Sequence, residues 1–286
     1  MLRRTLTAAV LIPIVVILIW FGPPLAVAGV AALVAIIALH EFFELANRQG
    51  AAGLQKWTMA CAAALFYAQY SLGLIETKNL NGAILLINGG EGRSLSLEAV
   101  LLIFVFGMVA IGLFTRRPLH EVLPAVSASA AGLLFVVYPF SYLVRLNEMG
   151  DNGKRLTLFT LGFVWAGDML AYFVGRSLGR VPMAPALSPK KTWEGALGNL
   201  FGSLLVAVAF ARWLQIEVVS LMMVAALGNI AGQAGDLMES AFKRGASVKD
   251  SSSLLPGHGG MYDRIDSLIL AAPVVWAACQ FLLPPR

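Results

Sequence analysis

Apolar residues fall in blocks of about 20 along the whole chain, separated by short polar segments. The blocks predict about nine membrane-spanning helices, near 5–21, 24–46, 57–75, 95–115, 122–144, 156–175, 196–214, 218–242 and 265–283. The first block follows Met1-Leu2-Arg3-Arg4, and Gly22-Pro23-Pro24 reads as a turn into the next, so it is taken as a span and not as a cleaved secretory signal. No soluble-sized segment, internal repeat or low-complexity tract interrupts the series, which predicts an all-α polytopic helical bundle forming one membrane-embedded domain over 1–286. Within it, the spans up to about residue 150 are expected to be scaffold, and about 151–286 is expected to carry the chemistry.

Against this background two polar interruptions stand out, 176–195 and "KRGASVKDSSSLLPGHGGMYDRID" at 243–266. Acidic residues lie within the apolar blocks beside them: Asp168 in "FVWAGDMLAYFVGR", and Asp236 with Glu239 in "GNIAGQAGDLMESAFKR". A carboxylate at that depth costs a few kcal/mol, so each needs a wet cavity, a partner or an ion. Helical spacing puts Asp236, Glu239, Ser240 and Lys243 on one face, and Asp168, Tyr172, Gly175 and Arg176 on another. The plain structural alternative is that Glu239 pairs with Lys243 and Asp168 with Arg176, stitching helix ends.

Composition agrees with the pattern: 58% hydrophobic and 13% charged residues, with a mean hydropathy of +0.77, exclude an ordinary soluble domain. With the N-terminus inside, the larger share of the 21 Lys and Arg residues falls on the cytoplasmic side, together with both polar interruptions. The net charge of +5 suits anionic partners and the inner membrane leaflet alike. Cys61 and Cys279 sit in apolar blocks without CxxC spacing, so neither a disulfide framework nor a metal knuckle is expected.

The chemistry of the polar stretch narrows the choice further. Magnesium takes oxygen ligands, commonly one or two carboxylates with water and substrate phosphate, and Asp236 and Asp263 are suited to supply them. Lys243, Arg244, Lys249 and Arg264 offer donors for phosphate, and Gly257, Gly259 and Gly260 free the backbone to approach a ligand. His258 has two readings, proton transfer or a hydrogen bond to the turn or to phosphate. Gly198, Gly202, Gly228 and Gly232, at four-residue spacing, suit close helix packing and a homodimer face. "NGGEGR" at 88–93 reads as a plain turn.

"SAFKRGASVKDSSSLLPGHGGMYDRID", 240–266, resembles the signature of the phosphatidate cytidylyltransferases, the CDP-diacylglycerol synthases. The likeness lies in the Ser-x-apolar-Lys-Arg opening, the Lys-Asp pair, the Pro-x-His-Gly-Gly core and the Asp-Arg-x-Asp close. "LSPKKTWEG" at 187–195 and "AGDMLAYFVGRSLGR" at 166–180 are similar to that family's other polar elements. The resemblance implies transfer of a cytidylyl group from CTP to phosphatidate in phospholipid biosynthesis, at a bacterial inner membrane, with magnesium and a second, monovalent ion as cofactors. By matching positions it implies that Asp236 and Asp263 bind metal. Lys190, Lys191, Lys243, Arg244 and Arg264 would grip the triphosphate and the lipid phosphate, and Lys249 and Asp250 would contact the nucleotide. Asp168, Ser240, Gly259 and Gly260 would complete the substrate site, with His258 beside the reacting groups.

Two other readings compete. A CTP-dependent lipid-alcohol kinase, of the dolichol kinase type, would share nucleotide-site elements but release CDP. An ion-coupled transporter would use Asp168, Asp236 and Glu239 as buried ion sites, yet leaves the polar stretch unexplained. No GxxxxGK[ST] run points to an ATP-driven pump.

Overall fold

The computed structural model describes residues 2–80, 95–115, 117–254 and 259–283. The "NGGEGR" turn, Gly257 and His258 lie outside the described residues. Each apolar block becomes a helical rod: α1 Leu2–Phe21, α2 Pro24–Arg48, α3 Gln55–Leu80, α4 Leu97–Phe114, α5 Leu119–Ala131 continuing into α6 Tyr138–Asn147, α7 Gly153–Leu178, α8 Trp193–Leu214, α9 Val218–Gly245 and α10 Tyr262–Leu282. Among the described residues seven rods are long and apolar enough to cross a bilayer. The expected nine include two more: α1, whose described apolar stretch is the shorter Ala9–Phe21, and α3, whose hydropathy is lowered by Gln55, Lys56, Thr58 and Gln69.

The described residues divide into two compact units, Met1–Lys154 with Asp250–Tyr262, and Arg155–Lys249 with Asp263–Arg286. In the first unit α2 is central, burying Leu39, Phe42, Phe43 and Leu45 against α3 and the α5–α6 rod, where Leu65, Phe66, Leu133 and Phe140 close the core. Gly132 permits the close approach, since a side chain there would strike Leu39 and Phe42. The rod changes to a π-turn over Gly132–Val137 just before Tyr138-Pro139. Proline has no N–H and its ring collides with the carbonyl four residues earlier, so a π-turn at that place lets the rod continue where a regular α ladder would break. Side-chain bonds between rods, from Trp57 Nε1 to the Phe104 carbonyl at 3.2 Å and from Gln69 Nε2 to Ser141 Oγ at 3.1 Å, satisfy polar groups that lipid would leave unpaired.

In the second unit α7, α8, α9 and α10 carry the packing, and a short antiparallel hairpin, β1 Pro182–Ala184 and β2 Ser188–Thr192, fills the turn between α7 and α8. Thr192 ends the hairpin and caps α8, its hydroxyl accepting the Gly195 N–H at 3.2 Å. The four-spaced glycines work inside this unit. Gly198 and Gly202 lie against Val174, Leu170 and Ala166 of α7, Gly228 against Phe163 and Val275, and Gly232 against Ser267 of α10. The stripe therefore serves helix packing within the chain. Outward positions are apolar, as lipid contact requires: Leu197, Phe201, Leu205 and Val208 on α8, and Leu102, Phe106, Val109 and Leu113 on α4 of the first unit.

Candidate active site

Lone polar residues in apolar helices need partners on other helices, and in the second unit they find them. Asn199 of α8 donates to Asp168 Oδ1 of α7 at 3.2 Å, and Asn229 of α9 donates to Asn199 Oδ1 at 2.5 Å and to Ser203 Oγ at 2.7 Å. Gln233, one turn on from Asn229, donates to Asn229 Oδ1 at 2.7 Å and to the Ala196 carbonyl at 3.3 Å. Asp168 thus pairs with Asn199 and not with Arg176, which instead donates to its neighbour Tyr172 at 2.8 Å. The cause is Gly167: a side chain there would overlap Asn199, so glycine lets α8 come close enough for Asn199 to reach the carboxylate.

This ladder forms one wall of a cavity of about 270 Å³ lined by Asp168, Tyr172, Lys190, Lys191, Gln233 and Asp236 among others. Strand β2 carries Lys190 and Lys191 to its rim. Lys191 Nζ meets Asp236 Oδ2 at 2.5 Å, an ion pair that draws the hairpin toward α9. Arg244 ties the same parts together from the other direction, its Nε donating to the Leu187 carbonyl and its Nη1 to the Val248 carbonyl, both at 3.1 Å.

Deeper in the unit is an acidic group. Asp236 and Glu239, three apart on α9, and Asp266 of α10 bring carboxylate oxygens within 4.8 Å of one another. Gly235 makes this possible, since a side chain there would stand 2.5 Å from the Asp266 carbonyl. Asp266 Oδ1 also accepts the Ser267 N–H at 2.7 Å. Lys243 then bridges Glu239 Oε2 at 2.5 Å and Asp263 Oδ1 at 2.6 Å. The i, i+4 stitch between Glu239 and Lys243 therefore exists, but Lys243 is shared with a second acid on another helix.

Asp168, Asp236, Glu239, Asp263 and Asp266 outnumber the lysines ion-paired within the group, Lys191 and Lys243. Glu239 is 1% exposed, and its Oε1 is buried without a hydrogen-bond partner among the described residues. Clustered hard oxygen donors with an unsatisfied buried member suit a divalent cation. The residues fit a metal centred on Asp236, Glu239 and Asp266, with Asp263 held beside it by Lys243.

The other candidates divide between the two units. Ser240 is buried on α9, while Lys249 and Arg264 are exposed. Asp250, Gly259 and Gly260 belong to the first unit. There Gly259 takes φ +78°, a left-handed conformation that favours glycine, and Gly260 is buried. The sequence reading assigned Glu239 an ion only in the transporter alternative, and left unassigned Asp266 as a ligand, the Asn199–Asn229–Gln233 ladder, and Glu41 of α2. The available signal was the same for all of them, an amide or acid inside an apolar block.

Comparison with known proteins bears on the whole chain. The model of the cytidylyltransferase family matches residues 2–282. A phosphatidate cytidylyltransferase of Synechocystis sp. is 32% identical over 88% of this chain and 88% of its own length. Proteins of the same name from Bacillus subtilis, 32% identical over 66% of this chain and 68% of their own, and from Thermotoga maritima, 35% identical over 63% and 68%, are also similar. With its polytopic helical fold, its clustered acids and lysines and a match running almost from end to end, the chain belongs to the cytidylyltransferase family.

Proposed function

We propose that the protein transfers the cytidylyl group of CTP to phosphatidate, yielding CDP-diacylglycerol and pyrophosphate for phospholipid synthesis. The observation that carries this reading is the likeness, over 88% of both chains, to a protein named for that activity. The site is chemically suited to it. An oxygen of the lipid phosphate attacks the α-phosphorus of CTP, and the bond from that phosphorus to the bridging oxygen breaks. The electron pair leaves with pyrophosphate. The attacking oxygen is already ionised near neutral pH, so no general base is required, and positioning with charge neutralisation carries the rate.

In this reading Lys190 and Lys191, at the cavity rim, hold CTP phosphates, and Asp168, oriented by Asn199, and Ser240 shape the substrate site. Asp236, with Glu239 and Asp266 and with Asp263 beside them, would hold magnesium, which when bound neutralises charge developing on the leaving pyrophosphate. A second, monovalent ion belongs to the same reading. Lys243 keeps Asp263 and Glu239 in place and, with Arg264, faces phosphate. Arg244 fixes the hairpin, Lys249 and Asp250 contact the nucleotide, and Gly259 and Gly260 bring the backbone close to a phosphate that His258 also meets. The N-terminus and both polar segments are assigned to the cytoplasmic side of a bacterial inner membrane, where CTP is available.

The test is turnover by the purified protein in detergent micelles with labelled CTP, phosphatidate and magnesium. Lipid-dependent CDP-diacylglycerol and pyrophosphate, abolished by EDTA and restored by magnesium, are expected. Release of CDP with phosphorylated lipid alcohol would identify a kinase instead, and accumulation of solute in sealed vesicles without turnover would identify a transporter.

A further inference from the structure

In the first unit a single carboxylate gathers the segment 250–262. Glu41, on α2 and 3% exposed, accepts Ser252 Oγ at 2.6 Å and the Met261 N–H at 2.9 Å on Oε1. On Oε2 it accepts Ser251 Oγ at 2.8 Å and the Tyr262 N–H at 2.8 Å. Each oxygen therefore takes one hydroxyl from near the start of the segment and one amide from its end, so both ends are fastened to one side chain. The amides are those that open α10, which have no partner within the helix and favour a negative group.

Two further features are built around this contact. Gly260 is needed because a side chain there would run into Ser251 Oγ and the Glu41 carboxylate. Phe42, next to Glu41, packs edge-on against Tyr262, with ring centroids 6.3 Å apart at 89°. The acceptor must also be a carboxylate. A glutamine would turn one NH2 toward a backbone N–H, opposing two donors, whereas an aspartate keeps two acceptors on a shorter stem.

We propose that Glu41 is a positioning residue for the transfer reaction, one that fastens both ends of 250–262 and so sets the register in which the chain enters α10 at Asp263. This rests on the cytidylyl-transfer reading, since Asp250, which opens the fastened segment, and Lys249 and Asp263, which flank it, are assigned there to nucleotide and metal. Glu41 itself touches neither reactant and acts by removing freedom from residues that do.

The experiment compares the full-length protein with Glu41→Gln, Glu41→Asp and the double variant Ser251→Ala/Ser252→Ala. Amide hydrogen exchange over 259–262, steady-state turnover with CTP and magnesium varied, and Tm in detergent are measured together. Glu41→Gln is expected to speed exchange there by about tenfold or more and to lower kcat by about 10- to 100-fold, with Tm close to that of the parent. Glu41→Asp should recover part of both losses, and the serine variant, which keeps the amide contacts, should show smaller changes of the same sign. Parental kcat in Glu41→Gln, a fall in kcat without faster exchange, or a fall that only tracks lost Tm and is not relieved by aspartate would overturn the proposal. A parent protein inactive on CTP and phosphatidate, yet protected over 259–262 in a manner that Glu41→Gln removes, would sink the functional reading and leave the clamp standing.

Discussion

Lys191 of strand β2 and Asp236 of α9 meet at 2.5 Å, at the rim of the cavity walled by Asp168, Asn199 and Gln233. The contact joins a phosphate-binding type of cation to an acid that also belongs to the carboxylate group with Glu239 and Asp266. A polyphosphate entering the cavity competes for Lys191 while a cation competes for Asp236, so nucleotide and metal are expected to bind cooperatively.

Asp236→Asn removes one charge of the proposed metal set and is expected to lower kcat by about 100-fold or more, in line with loss of a preorganised electrostatic partner. Lys191→Met should instead raise the apparent KM for CTP more than it lowers kcat. Steady-state kinetics with CTP and magnesium each titrated against both variants would separate the two effects, and equal changes in both would show that the pair is only structural.

Lys243 compensates Glu239 and Asp263, which are nearly buried. Lys243→Met removes the cation that the two acids share, and removing one partner from such a group destabilises by about 3–5 kcal/mol. Thermal unfolding in detergent should show the loss, and Lys243→Met combined with Glu239→Gln should regain part of it because one uncompensated charge is gone.

Gly235 faces the Asp266 carbonyl at a separation that leaves no room for a methyl group. Gly235→Ala should part α9 from α10 locally, at about 1–3 kcal/mol, and should weaken magnesium dependence by spreading Asp236, Glu239 and Asp266. A magnesium titration of turnover reads this directly; an unchanged midpoint would count against Asp266 as a ligand.

Glu217 caps α9 from outside the membrane, its carboxylate accepting the N–H groups of Val219 at 2.9 Å and Ser220 at 2.6 Å. These hydrogen bonds stabilise the ionised form and lower its pKa below the usual glutamate value. Its stabilising contribution is thus present above the unfolded pKa and fades as pH falls through the lower, folded one. Glu217→Gln should lower Tm at neutral pH, and the difference should vanish in strong acid, as Tm measured across pH would reveal.

The helical rods were legible because lipid imposes long apolar blocks, and the block at 122–144 spans the α5–α6 rod although a π-turn interrupts it. The Asp236–Glu239–Lys243 face was legible because it repeats at helical spacing on one element. The structural alternative paired Asp168 with Arg176 on its own helix, whereas the partner is Asn199, brought near by the absence of a side chain at Gly167. Local periodicity carries no information about a neighbouring helix, so Asp266 and the Asn229–Gln233 ladder went unassigned for the same reason. Glu41 is the extreme case: its serine partners lie 210 and 211 residues away along the chain.

That separation has a consequence for biogenesis. During synthesis α2 enters the membrane long before the ribosome has made Ser251, so Glu41 waits as a solitary acid near the end of an inserted helix. Until the late serines and amides arrive, it can be neutralised only by a proton, by water drawn toward the headgroups, or by a chaperoning insertase. A nascent chain arrested before residue 250 should therefore crosslink to the insertion machinery through a photoreactive group placed near Glu41, and release should coincide with emergence of the segment that it fastens.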